Sequence, residues 1–329
     1  MRPVLIDSLS FEIWEERRPW VAYGQFCRHF LAPLALSRYR GGGARELLRA
    51  HLDGAPLDLV SRLLPRRSWL RLTLLLHLHL HARMIRSTKS AGKPRGSVPL
   101  RSQLGLVANL TSWVRRLPIR YRQSHWSDYY ETSTYEEQSL AQKERIVGDY
   151  LDHIDGRKAV DLGANTGRFS RLAAARGMSV LACDNDDGVI EELFGATTGS
   201  SLVPLVIDLV NPPGAGGWAH RERASFSDRA RGDVVLALAL IHHLAIGNNV
   251  PLVEIARFLG RLAPALIIEF VPKSDPQVQR LLATREDIFP SYDEEGFTEA
   301  FSSVFEIRQR QPVGDMDRTL YLMARRDAS

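Results

Sequence analysis

Cysteine is scarce in this chain. Only Cys27 and Cys183 occur among 329 residues, far apart and outside any metal-ligand spacing. That excludes a disulfide framework and a zinc cluster, and a reducing cytoplasm is the expected compartment. Long apolar runs are also missing. The opening MRPVLIDSLSFEIWEERRPW is interrupted by acids and arginines where a leader peptide needs an unbroken apolar stretch. The most lipid-like run, Trp69–Leu80, is broken by Arg71 and two histidines and is too short to span a bilayer. No membrane partner is therefore expected. Strong charge of one sign is lacking too: a formal net charge of +5 is compatible with an enzyme or an RNA binder and selects neither. No internal repeat is visible.

What remains is ordinary globular material, 44% hydrophobic and 25% charged, with 24 glycines and 17 prolines. Three textures divide it. Residues 1–82 are rich in Leu, Arg and aromatics, with helical spacing punctuated by Pro33, Pro65 and the turn Gly41-Gly42-Gly43. Residues 83–101 are basic and rich in Gly, Ser and Pro, which predicts a flexible linker. A connecting helix is expected over 102–126, and a larger domain over 127–329. In the latter, the short apolar runs KAVDLG, SVLACD, LVPLVID, DVVLALAL and ALIIEFV alternate with helical segments. Such runs predict parallel strands covered on both faces, an α/β Rossmann-like doubly wound sheet. SVFEIRQRQPV and RTLYLMARR, separated by residues 314–317, predict an antiparallel hairpin at its edge.

The informative turn follows the first strand: Asp161-Leu-Gly163-Ala-Asn165-Thr-Gly167. A dinucleotide fingerprint would read G-x-G-x-x-G and aim a helix N-terminus at a pyrophosphate. Here the strand carries a carboxylate instead, which repels a pyrophosphate and suits an ammonium or sulfonium. Gly163 and Gly167 remove side chains where a ligand lies against backbone. The second strand ends in Asp184, an acid able to accept from both hydroxyls of a ribose. A ligand with a ribose, no phosphate and a cationic amino-acid tail meets all of these conditions; S-adenosylmethionine is one. A nicotinamide oxidoreductase is disfavoured, because the phosphate-cradling spacing is missing.

D-L-G-A-N-T-G followed by an acid at the end of strand two resembles class I S-adenosylmethionine-dependent methyltransferases over roughly residues 126–326. The resemblance implies a seven-strand sheet with a terminal hairpin. It places Asp161, Gly163, Ala164, Asn165 and Gly167 around the methionine moiety, and Asp184 and Asn185 at the ribose. Asp208 and Leu209 fall near the adenine, and Ala239 in the loop after the fourth strand. S-adenosylhomocysteine would be the product. ALALIHHLAIGNNVPL, IIEFVPKSDPQVQRLLATREDIFPSY, RPVLIDSLSFE and YGQFCRHFLAPLAL further resemble a bacterial branch of nodulation-protein-like methyltransferases. Members of that branch carry additional sequence before RPVLID, so this chain is expected to be a short form.

Other residues have two readings each. His242 and His243 follow the fourth strand at the ligand-binding edge; one of them is the candidate general base, the alternative being a loop that shapes the cleft floor. Trp126, Tyr129, Tyr130 and Tyr135 are candidates for a lid or a substrate stack, or are ordinary packing. Glu269, ending the fifth strand, is a candidate substrate contact or a partner of Lys273. Asn211-Pro212-Pro213 resembles an amino-methylation motif, but it follows the third strand and continues with Gly214, so it reads as a loop. Phe297 and Phe301 read as a core stripe. His77 and His81 would share a helix face without a third ligand, so no metal is expected. The preferred acceptor is an oxygen or nitrogen of a small molecule or biosynthetic intermediate. RNA, or a partner protein of a non-catalytic chain, are the rival readings.

Overall fold

The computed structural model describes residues 13, 17–41, 43–87, 97–117, 137–197, 201–283, 285–314 and 316–326. The chain divides into two compact units, Pro3–Arg120 and Tyr121–Ser329 with Met1–Arg2.

The first unit is helical. Its core gathers Cys27, Leu31, Leu36, Val60, Leu74 and Leu78, against which Leu110 of the helix Leu100–Arg115 packs. Two stretches wind as π-helices, Cys27–Leu31 and Leu75–Leu80. The histidine-leucine alternation lies in the second of these. His79 is fully buried, hydrogen-bonded with Ser61 Oγ at 2.7 Å and Ser68 Oγ at 2.9 Å, and stacked on Trp69. His77 pairs with Tyr23 Oη at 2.8 Å. These are core histidines with local partners. Among the described residues, no group of three or more His, Cys, Asp or Glu is placed to hold a metal. The stretch expected as a linker is partly helical: His81–Ser87 runs into it and Leu100–Arg115 begins inside it. The helix expected over 102–126 ends at Arg115 and belongs to the first unit.

The second unit is a seven-stranded mixed sheet. Its strands are β1 Lys158–Leu162, β2 Ser179–Asp184, β3 Leu202–Val206, β4 Val234–Ala237, β5 Ala265–Phe270, β6 Phe305–Val313 and β7 Met316–Arg325. Their order is β3-β2-β1-β4-β5-β7-β6. The first five are parallel, while β7 runs antiparallel to β5 and β6. This is the α/β Rossmann-like sheet with the antiparallel terminal hairpin expected from the sequence. β4 and β5 are buried along nearly their whole length, which is why their runs are continuously apolar rather than alternating. Successive residues feed opposite faces: Val160 and Leu162 join one core with Val235 and Ile268, whereas Ala159 joins the other with Val180 and Leu236. Phe297 and Phe301 sit fully buried, their rings 4.5 Å apart, as the stripe predicted.

Winding proceeds outward from β1 to β3 on one side and from β4 to β5 on the other. The switch point therefore lies between β1 and β4, where an open α/β sheet leaves a crevice beyond its carboxyl ends. Among the described residues, no helix is long and apolar enough to cross a membrane.

Candidate functional site

A cleft of about 470 Å³ opens at that switch point. Its volume lies within the range of small-molecule sites. It collects the ends of four parallel strands and brings together ten of the residues singled out in the sequence. From the glycine turn come Asp161, Gly163, Ala164 and Asn165; from the end of β2, Asp184 and Asn185. Asp208, Leu209, Ala239 and His243 complete that set.

The turn is built by backbone geometry. Gly163 adopts φ +76° and Asn165 φ +49°, the latter in the left-handed region that asparagine tolerates better than most residues. The N–H groups of Gly163 and Ala164 both donate to the Cys183 carbonyl at 2.9 Å, tying the turn to β2. Asp184 completes the tie: its Oδ2 accepts from the Asn165 N–H at 2.9 Å and its Oδ1 from the Asp186 N–H at 3.0 Å. A carboxylate has about four acceptor positions, so both oxygens retain capacity for a ligand hydroxyl. Asp186 caps the following helix Asp187–Ala196, accepting from Gly188 N at 2.7 Å.

Asp161 is 2% exposed and accepts from Ser170 Oγ at 2.5 Å. Burial pushes its carboxyl up to about 6, the Ser170 hydrogen bond opposing and the Asp184 charge adding to the rise. Asp184 is also raised, mainly by burial. Two acids with raised pKa values at one end of a cleft form a site that gains from a cationic ligand.

Three predicted residues stand elsewhere. Gly167 does not line the cleft. It caps the helix Arg168–Ala174 at φ +81°, where an added Cβ would sit 2.5 Å from a methyl of Leu193. Its role here is turn geometry and packing. His242 is fully buried, and among the described residues neither ring nitrogen has a hydrogen-bond partner. Burial holds it well below the usual imidazole range, so it is a neutral interior group and no base toward the cleft. His243, the next residue, faces the cleft; its pKa is also lowered by burial, with Arg318 contributing. Glu269 is fully buried inside β5 and is neither a cleft-lining residue nor paired with Lys273. Lys273 bonds Asp287 at 2.7 Å instead. Trp126, Tyr129, Tyr130 and Tyr135 lie outside the described residues.

Glu269 belongs to a buried ionic chain that the sequence did not reveal. Lys143, on the helix Glu137–Asp152, donates to its Oε2 at 2.6 Å, and Arg318 Nη1 lies 3.6 Å from its Oε1. Arg318 Nε also donates to Asp275 Oδ2 at 2.7 Å. The same Glu269 Oε2 accepts the Ala239 N–H at 2.7 Å and thereby holds the loop after β4, where Ala239 has φ +50°. The apolar run DVVLALAL would carry β4 to Leu240; the strand stops at Ala237 because this positive-φ residue turns the backbone away. Lys143, Phe169 and Asn248 also line the cleft unanticipated. The loop after β3 borders the cleft as far as Val210, short of Asn211.

Comparison with known proteins sets this geometry in a family. Over 334 aligned residues the chain is 36% identical to nodulation protein NoeA of Rhizobium meliloti (strain 1021), covering 98% of this chain and 70% of that protein. The chain belongs to the NoeA family. No protein-family model matches it. Among solved structures, the N-methyltransferase NodS from Bradyrhizobium japonicum WM9 is similar at a TM-score of 0.43. The match has 10% identity and covers 58% of this chain and 99% of that one. Magnesium protoporphyrin IX methyltransferase (ChlM) from Synechocystis PCC 6803, with bound SAH, is similar at 0.43. It has 17% identity and covers 61% of this chain and 92% of that one. For this NoeA-family chain the fold rests on its own strand order, to which such distant likenesses add nothing.

Proposed function

We propose that the chain is an S-adenosylmethionine-dependent methyltransferase acting on an oxygen or nitrogen of a small molecule or biosynthetic intermediate. The observation that carries this reading is the pairing of Asp161 and Asp184 across the glycine turn of the switch-point cleft. The donor set fits the group. Gly163 lines the cleft with no side chain, so a ligand can lie against its backbone. Asp184 offers acceptors for ribose hydroxyls, and Ile207 and Leu209 supply apolar surface for a purine. Asp161 suits an ammonium group. When bound, S-adenosylmethionine supplies an electrophilic methyl on a cationic sulfur, a leaving group that needs no acid.

The chain's own task is then alignment and exclusion of water. The Glu269–Ala239 hydrogen bond fixes the cleft floor after β4. A neutral His243 at the rim can take a proton from an acceptor hydroxyl or amine, and its lowered pKa keeps it in the accepting form at neutral pH. Orientation of the acceptor supplies much of the remaining acceleration.

Incubation with S-adenosylmethionine labelled in its methyl group, followed by separation of cell extract into small-molecule and RNA fractions, tests the reading. Label in the small-molecule fraction, reduced in His243→Ala, is expected. Label confined to RNA would overturn the acceptor class, and no transfer to any fraction would overturn the activity.

A further inference from the structure

The helix Leu100–Arg115 of the first unit carries two apolar stripes where packing on one core requires one. Leu106, Leu110 and Trp113 face the unit's core. Leu100, Leu104 and Val107 recur at the same helical spacing and remain 48%, 60% and 48% exposed. Alongside them, Leu70 and Leu72 stand 86% and 61% exposed.

These leucines share their surface with arginines. Two adjoining depressions of about 410 and 400 Å³ have Arg38, Tyr39, Leu70 and Arg71 in common. The larger reaches Arg116, where a third of about 460 Å³ continues along Leu104 and Val107 to Arg115. Arg67 and Arg38 lie over the Tyr39 ring at 5.4 and 5.8 Å. Among the described residues, no aspartate or glutamate lines any of the three depressions. Among the described residues, Arg38, Arg67, Arg71, Arg115 and Arg116 form no ion pair with a carboxylate. A solvated protein face ordinarily mixes both signs of charge and avoids contiguous apolar patches. This one pairs a single sign of charge with protruding leucines.

We propose that this face docks on an anionic phospholipid bilayer. Guanidinium groups present planar donor forks to phosphate oxygens, and leucines beside them enter the boundary between headgroups and acyl chains. Nucleic acid fits less well, because Tyr39 is occupied by two arginines and the exposed leucines gain nothing from phosphates or base edges. A free phosphate would use the arginines and leave the leucines without a role. The expectation of no membrane partner rests on the lack of a spanning run in the sequence, and the proposal departs from it because docking requires none.

The test is co-sedimentation of the full chain with vesicles of phosphatidylcholine alone, or with about a third phosphatidylglycerol added. The wild type should pellet with the anionic vesicles only. Arg38→Gln/Arg71→Gln/Arg116→Gln should bind roughly a hundredfold more weakly, at about a tenfold loss or less for each arginine near a charged surface. Leu104→Ser/Val107→Ser should also lose binding with the charge intact. A control, Arg221→Gln/Arg223→Gln/Arg229→Gln, removes three exposed arginines of the second unit and should bind as the wild type does. Circular dichroism establishes that each variant is folded. Failure of the wild type to pellet would overturn the proposal, as would equal loss in the control. Retained binding in the leucine variant, or tight binding of structured RNA in place of vesicles, would overturn it as well.

Discussion

The Nζ of Lys143 lies 2.6 Å from Oε2 of Glu269, with the two side chains 2% and 0% exposed. Because the same oxygen accepts the Ala239 N–H, one carboxylate joins the helix before β1, strand β5 and the loop after β4. The cleft floor is thus held by a charge that never meets solvent.

Breaking that pair from one side should be costly. Lys143→Met takes the nearer counter-ion from the buried Glu269 carboxylate, and is expected to lower unfolding stability by about 3 kcal/mol. Lys143→Met/Glu269→Gln removes both charges and should lose less. Urea denaturation at pH 7 compares them; a double variant less stable than the single one would contradict this account.

Asp161 should make stability depend on pH in a defined sense. A carboxyl raised on folding binds its proton more tightly in the folded state. Its stabilising contribution is therefore complete below its unfolded value near 3.8 and lost as pH rises through about 6. Asp161→Asn removes that dependence. It should gain on the wild type between pH 4 and 6, levelling above that at roughly 2–3 kcal/mol, while losing ligand affinity. A stability difference that is constant with pH would contradict the assignment.

His242 and His243 should separate cleanly. Since His242 is buried without hydrogen bonds, His242→Leu removes an unsatisfied polar group and should change stability by less than about 1 kcal/mol. Label transfer should remain near the wild-type level in His242→Leu and fall in His243→Ala. The reverse order would reassign the base.

Gly167→Ala should destabilise the fold by about 2 kcal/mol, from left-handed strain and displacement of the buried Leu193 side chain. Thermal unfolding measures it. An unchanged midpoint would mean that the turn relaxes freely.

The sheet and most of the cleft were legible because their signals are local. Each parallel strand is a short apolar run, and Asp161 and Asp184 occupy its end or the position before it. The buried ionic chain was not legible. Lys143 reads as a solvated helix residue and Arg318 as an edge-strand charge, and only the fold brings them to Glu269 from positions more than a hundred residues away or across the terminal hairpin. The histidine doublet was ambiguous for another reason. The two rings lie 4.2 Å apart, one wholly covered and the other lining the cleft, and sequence spacing does not carry that difference in burial. The π-helical stretches of the first unit left no periodic signal distinct from an α-helix.

The most direct measurement is calorimetric titration of the purified protein with S-adenosylhomocysteine, beside a folded Asp184→Ala variant. Binding in the micromolar range, weakened at least about tenfold in the variant by loss of the carboxylate's charge-assisted hydrogen bonds, is the predicted result. No binding by the folded wild type would contradict the methyltransferase reading and leave the glycine turn a purely structural feature.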